Sequence, residues 1–285
     1  MIRIGFIGAG KAGTGLAALL NKKKKYQVVI VYDINQEAIK KFVEVIGNCH
    51  VARDYQEVAD MAELVFITTY DHSIRPACSK IKWRAGQSVI HCSGANSSDL
   101  LESAGKQGAY VGVFHPGFLF ATQKQTIESL PGTTFDIEAE EPLLTKLKDM
   151  ASALDCQWIE VGAKERGVFH FAEELATMYI LFMLKMSTNL MKSINIPQDK
   201  AMEVLLPMLK ATVNQIETIG IAQHLAGPVA RYDIESIKKH IGSLEKIAPA
   251  VVSFYRELAF QSIPVVLEQG SINQQQAEEL KNLLK

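Results

Sequence analysis

Three glycines, one acid and a few histidines are the residues of this sequence whose types and spacing can do chemistry. Gly8-Ala9-Gly10-Lys11-Ala12-Gly13 is a G-x-G-x-x-G run, and Asp33 follows about 20 positions after Gly13. Gly8 can take a tight turn that a side chain resists. Gly10 lets the backbone come close to a pyrophosphate, and Gly13 lets a helix pack against a strand. The free N–H groups at the helix start, around Lys11 and Ala12, then face the phosphates. Asp33 is placed to accept hydrogen bonds from a ribose diol. A glycine turn between any strand and helix is the plainer explanation. Here, though, the whole supporting unit is present: an apolar run over Ile2–Ile7, a small-residue helical pattern (Leu16, Ala17, Leu19, Leu20), and a second apolar run from Val28 to Tyr32 that ends on Asp33.

Further along, chemistry-bearing residues recur at the ends of apolar runs. Thr68 and Thr69 follow Leu64–Ile67, and His91-Cys92-Ser93-Gly94 follows Val89-Ile90. His115-Pro116-Gly117 follows Val111–Phe114. Thr68, Thr69 and Ser93 are candidate cofactor contacts. His91 and His115 are candidates for exchanging a proton with a carbonyl or alcohol. Each has a bland alternative, a turn cap for His91 and a hydrogen-bonded packing residue for His115. Arg231, in Gly227-Pro228-Val229-Ala230-Arg231-Tyr232-Asp233, either clamps a substrate carboxylate or phosphate or pairs with Asp233 to hold its loop. His170 and Glu174 share a helix face, but no further ligand has a clear spacing, so no metal is expected. Asp33-Ile34-Asn35 after the second strand lacks the arginine or hydroxyl that suits a 2′-phosphate. Asp33 would repel that group, so the residues lean to NAD over NADP. Lys22–Lys25 reads as a solvated helix end.

The elements that must position these residues alternate. Strand patterns cover Cys49–Ala52, Leu64–Thr68, Ser88–His91, Tyr110–Phe114, Thr133–Ile137 and Gln157–Val161. Helical patterns cover Gln36–Ile46, Tyr55–Met61, Ser73–Ile81, Ser97–Ala104 and Pro142–Leu154. This predicts an α/β, Rossmann-type, doubly wound and mostly parallel sheet, with ligands outside the carboxyl ends of its strands. From about Lys164 the strand patterns stop. Helices are predicted over Glu165–Ser193, Pro197–Gly220, Ile234–Ile241, Ser243–Gln261 and Asn273–Leu284. The expected division is a dinucleotide-binding domain over 1–162 and an all-helical substrate or dimerisation domain over 163–285.

With 285 residues and 48 % hydrophobic content, the chain can build one large or two ordinary cores. A net charge of -1 argues against nucleic acid as a partner. Cys49, Cys78, Cys92 and Cys156 form no C-x-x-C pair, which suits reduced thiols in a cytoplasmic protein. The N-terminus runs straight into a strand, so no signal peptide is expected. Leu175–Met191 is interrupted by Lys185, Ser187, Thr188 and Asn189; it reads as a buried helix, and no membrane is expected.

The sequence resembles Rossmann-like oxidoreductases that pair an N-terminal dinucleotide domain with a C-terminal helical domain of unknown function, often labelled NADP oxidoreductases. They are distant relatives of pyrroline-5-carboxylate reductase, ketopantoate reductase and the 6-phosphogluconate and β-hydroxyacid dehydrogenases. The matching residues are Gly8, Gly10 and Gly13, His91-Cys92-Ser93-Gly94, His115-Pro116, and Gly227-Pro228 with Arg231, Asp233 and His240. The resemblance implies a dinucleotide-dependent reductase or dehydrogenase with a helical half that mediates homodimers. One departure stands out. Met178 falls where the family pattern leads to an asparagine, and methionine cannot orient a carbonyl oxygen, so Glu174 or Thr177 would have to stand in. The expected activity is hydride transfer between NAD(P) and a small, anionic substrate, with His91 or His115 as proton donor and Arg231 as anion clamp. The alternative is a dinucleotide-binding sensor or regulatory protein without turnover.

Overall fold

The computed structural model describes residues 1–120, 127–221 and 226–285. Its strands are β1 (Ile2–Ile7), β2 (Tyr26–Tyr32), β3 (His50–Val51), β4 (Leu64–Ile67), β5 (Ser88–His91), β6 (Tyr110–Pro116), β7 (Thr134–Ala139) and β8 (Gln157–Glu160). They form one eight-stranded sheet in the order β3-β2-β1-β4-β5-β6-β7-β8. The six strands from β3 to β6 run parallel in the order of a dinucleotide-binding sheet. β7 is antiparallel to β6 and parallel to β8. The reversal has a direct consequence for the site. It puts the amino end of β7 beside the carboxyl end of β6, so His115 stands opposite Asp136 in the register.

The helices of this part are α1 (Lys11–Asn21), α2 (Gln36–Ile46), α3 (Tyr55–Met61), α4 (Asp71–Ser79), α5 (Glu102–Gly105), α6 (Leu143–Ala153) and α7 (Arg166–Ala176). Both faces of the sheet are covered, so its central strands are apolar throughout rather than alternating. On one face Phe6, Phe66, Phe114 and Phe135 pack with α1, α2 and α6 through Leu16, Phe42 and Leu147. Phe114 and Phe135 stack with ring centres 4.0 Å apart, which clamps β6 to β7 just before His115 and Asp136. On the other face Ile7, Val65, Ile67 and Val89 pack with Val58, Ile74, Trp83 and Leu101.

The remaining helices are α8 (Met178–Ser193), α9 (Gln198–Ile219), α10 (Ile234–Ile247), α11 (Val252–Glu268) and α12 (Gln274–Leu284). Ile237, Ile241, Ile263, Val266, Leu280 and Leu284 make a separate core from the last three. Asn273 starts α12 with a full capping box closed by Gln276. The chain divides into compact units Met1–Tyr179 and Ile180–Lys285, so α7 belongs with the sheet and not with the helices that follow.

Three local expectations are corrected. The helix expected over 165–193 breaks at Thr177 (φ -128°, ψ -81°) into α7 and α8. Gly242-Ser243 does not separate two helices but sits inside α10, because a single glycine costs only about 1 kcal/mol there. The apolar stretch 175–191 is not buried: Leu175, Leu181 and Phe182 are 52 %, 59 % and 50 % exposed. By length and composition Arg166–Ser193 and Pro249–Glu268 would suffice to cross a membrane, a property that exposed association helices share.

Candidate functional site

The glycine turn is built as its spacing predicts. Gly8 has φ +112°, and a Cβ there would lie 2.6 Å from the Thr68 backbone carbon. A Cβ at Gly13 would lie 2.5 Å from both Gly8 O and Thr68 Oγ1, so α1 approaches the β4 end only because this residue has no side chain. Gly10 differs: a Cβ there would meet nothing within 4 Å, which leaves open space over the start of α1. Gly10 is also the N-cap and offers no capping side chain, so the amides of Lys11 and Ala12 are left to an outside acceptor. Asp33 takes the Ala9 N–H on Oδ2 (2.6 Å) and the Asn35 N–H on Oδ1 (2.8 Å). Its carboxylate is thereby fixed at the edge of the turn.

The hydroxyl expected to touch the cofactor at Thr68 instead donates to Gly8 O (2.8 Å) and braces the turn from behind. Thr69 Oγ1 turns to the Tyr70 carbonyl (3.3 Å). Ser93 Oγ donates to Asp71 Oδ2 (2.8 Å), and Asn96 Nδ2 reaches both atoms at 2.9 Å. Thr68 and Ser93 are thus committed to internal bonds, and their role at the site is to hold its backbone.

His91 is corrected as a proton donor. It is 0 % exposed. Its Nε2 donates to Ser97 O (2.9 Å), and its Nδ1 accepts the Ser93 N–H (3.1 Å). Both nitrogens are used by the loop after β5, and burial pushes its pKa down to about 4. It is a neutral pin for the Ser93–Ser97 turn.

His115 is bonded differently from His91. Its Nδ1 donates to Asp136 Oδ2 (2.5 Å) across the β6–β7 ladder, while among the described residues Nε2 has no hydrogen-bond partner. Asp136 is itself buried, and its other oxygen accepts from Arg166 Nη2 (2.5 Å). Arg166, at the first turn of α7, has a side chain with 0 % exposure. Nη2 also reaches Ser93 O (3.3 Å), and Nε stands 3.8 Å from Glu138 Oε2. Glu138 takes the Ser98 N–H (2.9 Å) and hydroxyl (2.6 Å) on its other oxygen. One turn further along α7, His170 stacks edge-on against His115 with ring centres 5.2 Å apart. Glu173 Oε2 lies 3.6 Å from His115 Nδ1 and 3.5 Å from His170 Nδ1.

Asp136, Glu138, Arg166 and Glu173 were not among the residues singled out from the sequence. Only the register of β7 against β6 and the docking of α7 bring them to His115, and neither follows from spacing. Glu173, not Glu174, is the acid nearer to His115; Thr177 Oγ1 bonds back to Glu173 O (2.7 Å). Arg231 lies in the second unit, where its backbone N–H closes the turn onto Gly227 O (3.0 Å). It is not paired with Asp233, which caps α10 through Ser236 N (3.0 Å) and Oγ (2.7 Å). Among the described residues Arg231 makes no ion pair. His240 is held by Tyr255 Oη (3.1 Å).

A dinucleotide turn, a parallel sheet in 3-2-1-4-5-6 order and a polar cluster at the carboxyl edge define a Rossmann-type nucleotide-binding protein. The family comparisons agree. Residues 3–94 match the family described as NADP oxidoreductase, coenzyme F420-dependent, and residues 133–262 match a domain of unknown function, DUF2520. Both matches fall on this one chain, each over less than half of it. The first of these families is one of oxidoreductases that use a nicotinamide dinucleotide. No curated protein matches the sequence. Among solved structures the chain is similar to a Bacteroides fragilis protein assigned as an NADP oxidoreductase (24 % identity, TM-score 0.73, covering 90 % of this chain and 96 % of that one). It is also similar to a reductive aminase from Aspergillus terreus in complex with NADPH and ethyl-5-oxohexanoate (17 %, 0.64, 100 % and 92 %). A third is 1-pyrroline-5-carboxylate reductase from Streptococcus pyogenes (14 %, 0.63, 95 % and 99 %). At these identities the likeness is one of fold.

The neutral state of His91 has a measurable consequence. Its folded pKa, about 4, lies below its ordinary value of 6.5. Between those values the unfolded chain binds the proton and the native one does not, so stability is full above pH 6.5 and falls as pH drops towards 4. The expected loss from this residue is about 3 kcal/mol between pH 7.5 and 4. Urea unfolding of the wild type and His91→Gln at both pH values checks it. The difference between the two proteins should narrow or reverse at pH 4; a constant difference would show that His91 is not kept neutral.

Proposed function

We propose that this protein is an NAD(P)H-dependent reductase whose proton donor is His115. The observation that carries the reading is the chain Arg166–Asp136–His115 at the carboxyl edge of the sheet. The residues fit the cofactor: Gly10 leaves room for a pyrophosphate, the amides at the start of α1 are uncapped, and Asp33 stands at the ribose end. Bound nicotinamide supplies the hydride. The chain's own residues handle the proton. Asp136 holds the Nδ1–H of His115, which fixes the ring and its tautomer. Nε2 then carries the mobile proton to the oxygen or nitrogen of the reduced double bond. Arg166 neutralises Asp136 from the far side, so the carboxylate remains an acceptor.

The charges around His115 bear on the substrate. Among the described residues Asp136, Glu138, Glu173 and Glu174 are met by one cation, Arg166. That field opposes an anionic group at this position, contrary to the small anionic substrate that the sequence suggests. We read the substrate as a neutral carbonyl or a cationic iminium carbon. Arg231 makes no ion pair among the described residues, and this is what favours it as a clamp for an anionic group.

Helices α8 and α9 support a homodimer. Val204, Met208, Val213 and Ile216 are 51 %, 62 %, 46 % and 41 % exposed along α9, and Leu181 and Phe182 are similarly bare on α8. Such apolar faces ordinarily meet a partner surface. Sedimentation equilibrium should give twice the chain mass, and Met208→Glu with Ile216→Glu should halve it. A monomeric wild type would remove the dimer.

Two experiments test the cofactor and the chemistry. Titration with NADH and NADPH, followed by nicotinamide fluorescence, should show binding that Gly10→Val abolishes. Asp33→Ala should shift the NADPH-to-NADH affinity ratio towards NADPH by about tenfold, because a carboxylate–phosphate repulsion of about 1.4 kcal/mol is removed. Loss of neither binding nor ratio would end the cofactor assignment. In a panel of carbonyl and imine substrates, His115→Gln should lower turnover by about 10²–10⁴-fold with NADPH affinity unchanged. Tight dinucleotide binding with no turnover in the wild type would favour the sensor reading instead.

A further inference from the structure

We propose that His115, His170 and Glu173 form a binding site for one divalent transition-metal ion of the Zn²⁺ or Co²⁺ type. The ligand atoms of these three side chains lie within 4.8 Å of one another. A tetrahedral ion with bonds of about 2.1 Å holds its ligand atoms about 3.4 Å apart. Two of the edges already match: Glu173 Oε2 is 3.6 Å from His115 Nδ1 and 3.5 Å from His170 Nδ1. The third edge, between the two imidazoles, is within 4.8 Å and has to close towards about 3.4 Å; His170, with its side chain 28 % exposed, is the ring that can move.

The backbone makes room for this cluster at two points. A Cβ on Gly94 would stand 2.4 Å from His170 Nδ1 and 2.9 Å from His115 Cε1, and one on Gly117 would stand 2.8 Å from Glu173 Oε1. Both glycines have to lack a side chain for the donors to converge. Charge points the same way. Asp136 and Glu138 face the cluster from β7, and Glu173 and Glu174 from α7; among the described residues the one cation beside them is Arg166, which is spent on Asp136. A divalent ion among the three ligand atoms balances that surplus of negative charge.

The donor set of two nitrogens and one oxygen selects borderline metals over Mg²⁺ and Ca²⁺, which prefer oxygen. The fourth position is left to water, because Asp136 Oδ2, 2.5 Å from His115 Nδ1, is too close to that nitrogen to share a tetrahedral ion with it. The ion takes the nitrogen that Asp136 otherwise holds through a proton, so the ion and the His115–Asp136 hydrogen bond are alternative occupants. The inference shares His115 with the proposed reductase but is read without substrate or cofactor.

The test is a titration of the full chain with Co²⁺, followed by visible d–d absorption, then displacement by Zn²⁺. One equivalent should give the intense bands of a tetrahedral ion. His170→Ala and Glu173→Gln should each weaken binding on the order of 100-fold or more, since even losing an outer partner costs 10–100-fold. Glu174→Gln, outside the ligand set, should bind as the wild type does. Absence of the bands, or binding that persists in both His170→Ala and Glu173→Gln, would overturn the site. Thermal melts with unchanged midpoints exclude unfolding, and Glu173→Gln serves if His170→Ala does not fold. If the metal fails to bind while His115→Gln still loses turnover, this inference falls and the reductase stands. If binding holds while His115→Gln keeps full turnover, the reverse is true.

Discussion

A guanidinium cannot be buried alone, and the way Arg166 is paired through Nη2 organises the site. Its side chain has no exposed surface, and it meets Asp136, which is 1 % exposed. Removing either member of such a pair leaves an uncompensated charge in the interior, a cost of about 3–5 kcal/mol. The pair therefore locks three separate segments into one arrangement: the first turn of α7, the middle of β7 and, through Ser93 O, the loop after β5. Everything nearer the reaction depends on that lock. His115 is oriented by the oxygen of Asp136 that Arg166 leaves free, and His170 and Glu173 reach His115 because α7 is anchored one turn earlier.

The same lock explains why the two histidines at strand ends diverge in role. His91 ends β5, deep between parallel neighbours, and its ring is consumed by the turn that carries Ser93 and Ser97. His115 ends β6, where the sheet changes direction. The antiparallel β7 places a carboxylate opposite it and leaves one face of the ring outside the ladder. A reversal of one strand thus decides which imidazole, among the described residues, keeps a ring nitrogen free of internal hydrogen bonds.

Charge is distributed unevenly in this unit. Around the glycine turn the field comes from backbone amides and suits phosphates. Around His115 it comes from carboxylates and suits cations. A hydride acceptor between such regions would gain most if it carried positive charge or developed it during protonation. That contrast is a better guide to substrate class than the formal net charge of -1, which averages it away.

Much was legible in the chain itself. The glycine turn, the parallel order implied by alternating strands and helices, and the change to helices near Lys164 all depend on local rules: φ freedom at Gly8, apolar runs between turns, and 3.6-residue periodicity. The sequence also marked His115 as a candidate, but could not separate it from His91, because both end apolar strands beside small residues. The partners that separate them lie far along the chain, at 136, 166 and 173, and come together only through strand register and helix docking. The exposure of 175–191 was hidden for a related reason, since an apolar helix reads the same whether it is covered by its own chain or by another. Local sequence determined which elements form and where the dinucleotide turn sits. Tertiary structure alone decided which ionisable groups share a site, because contacts between distant segments are set by the direction of β7 and the burial of one arginine.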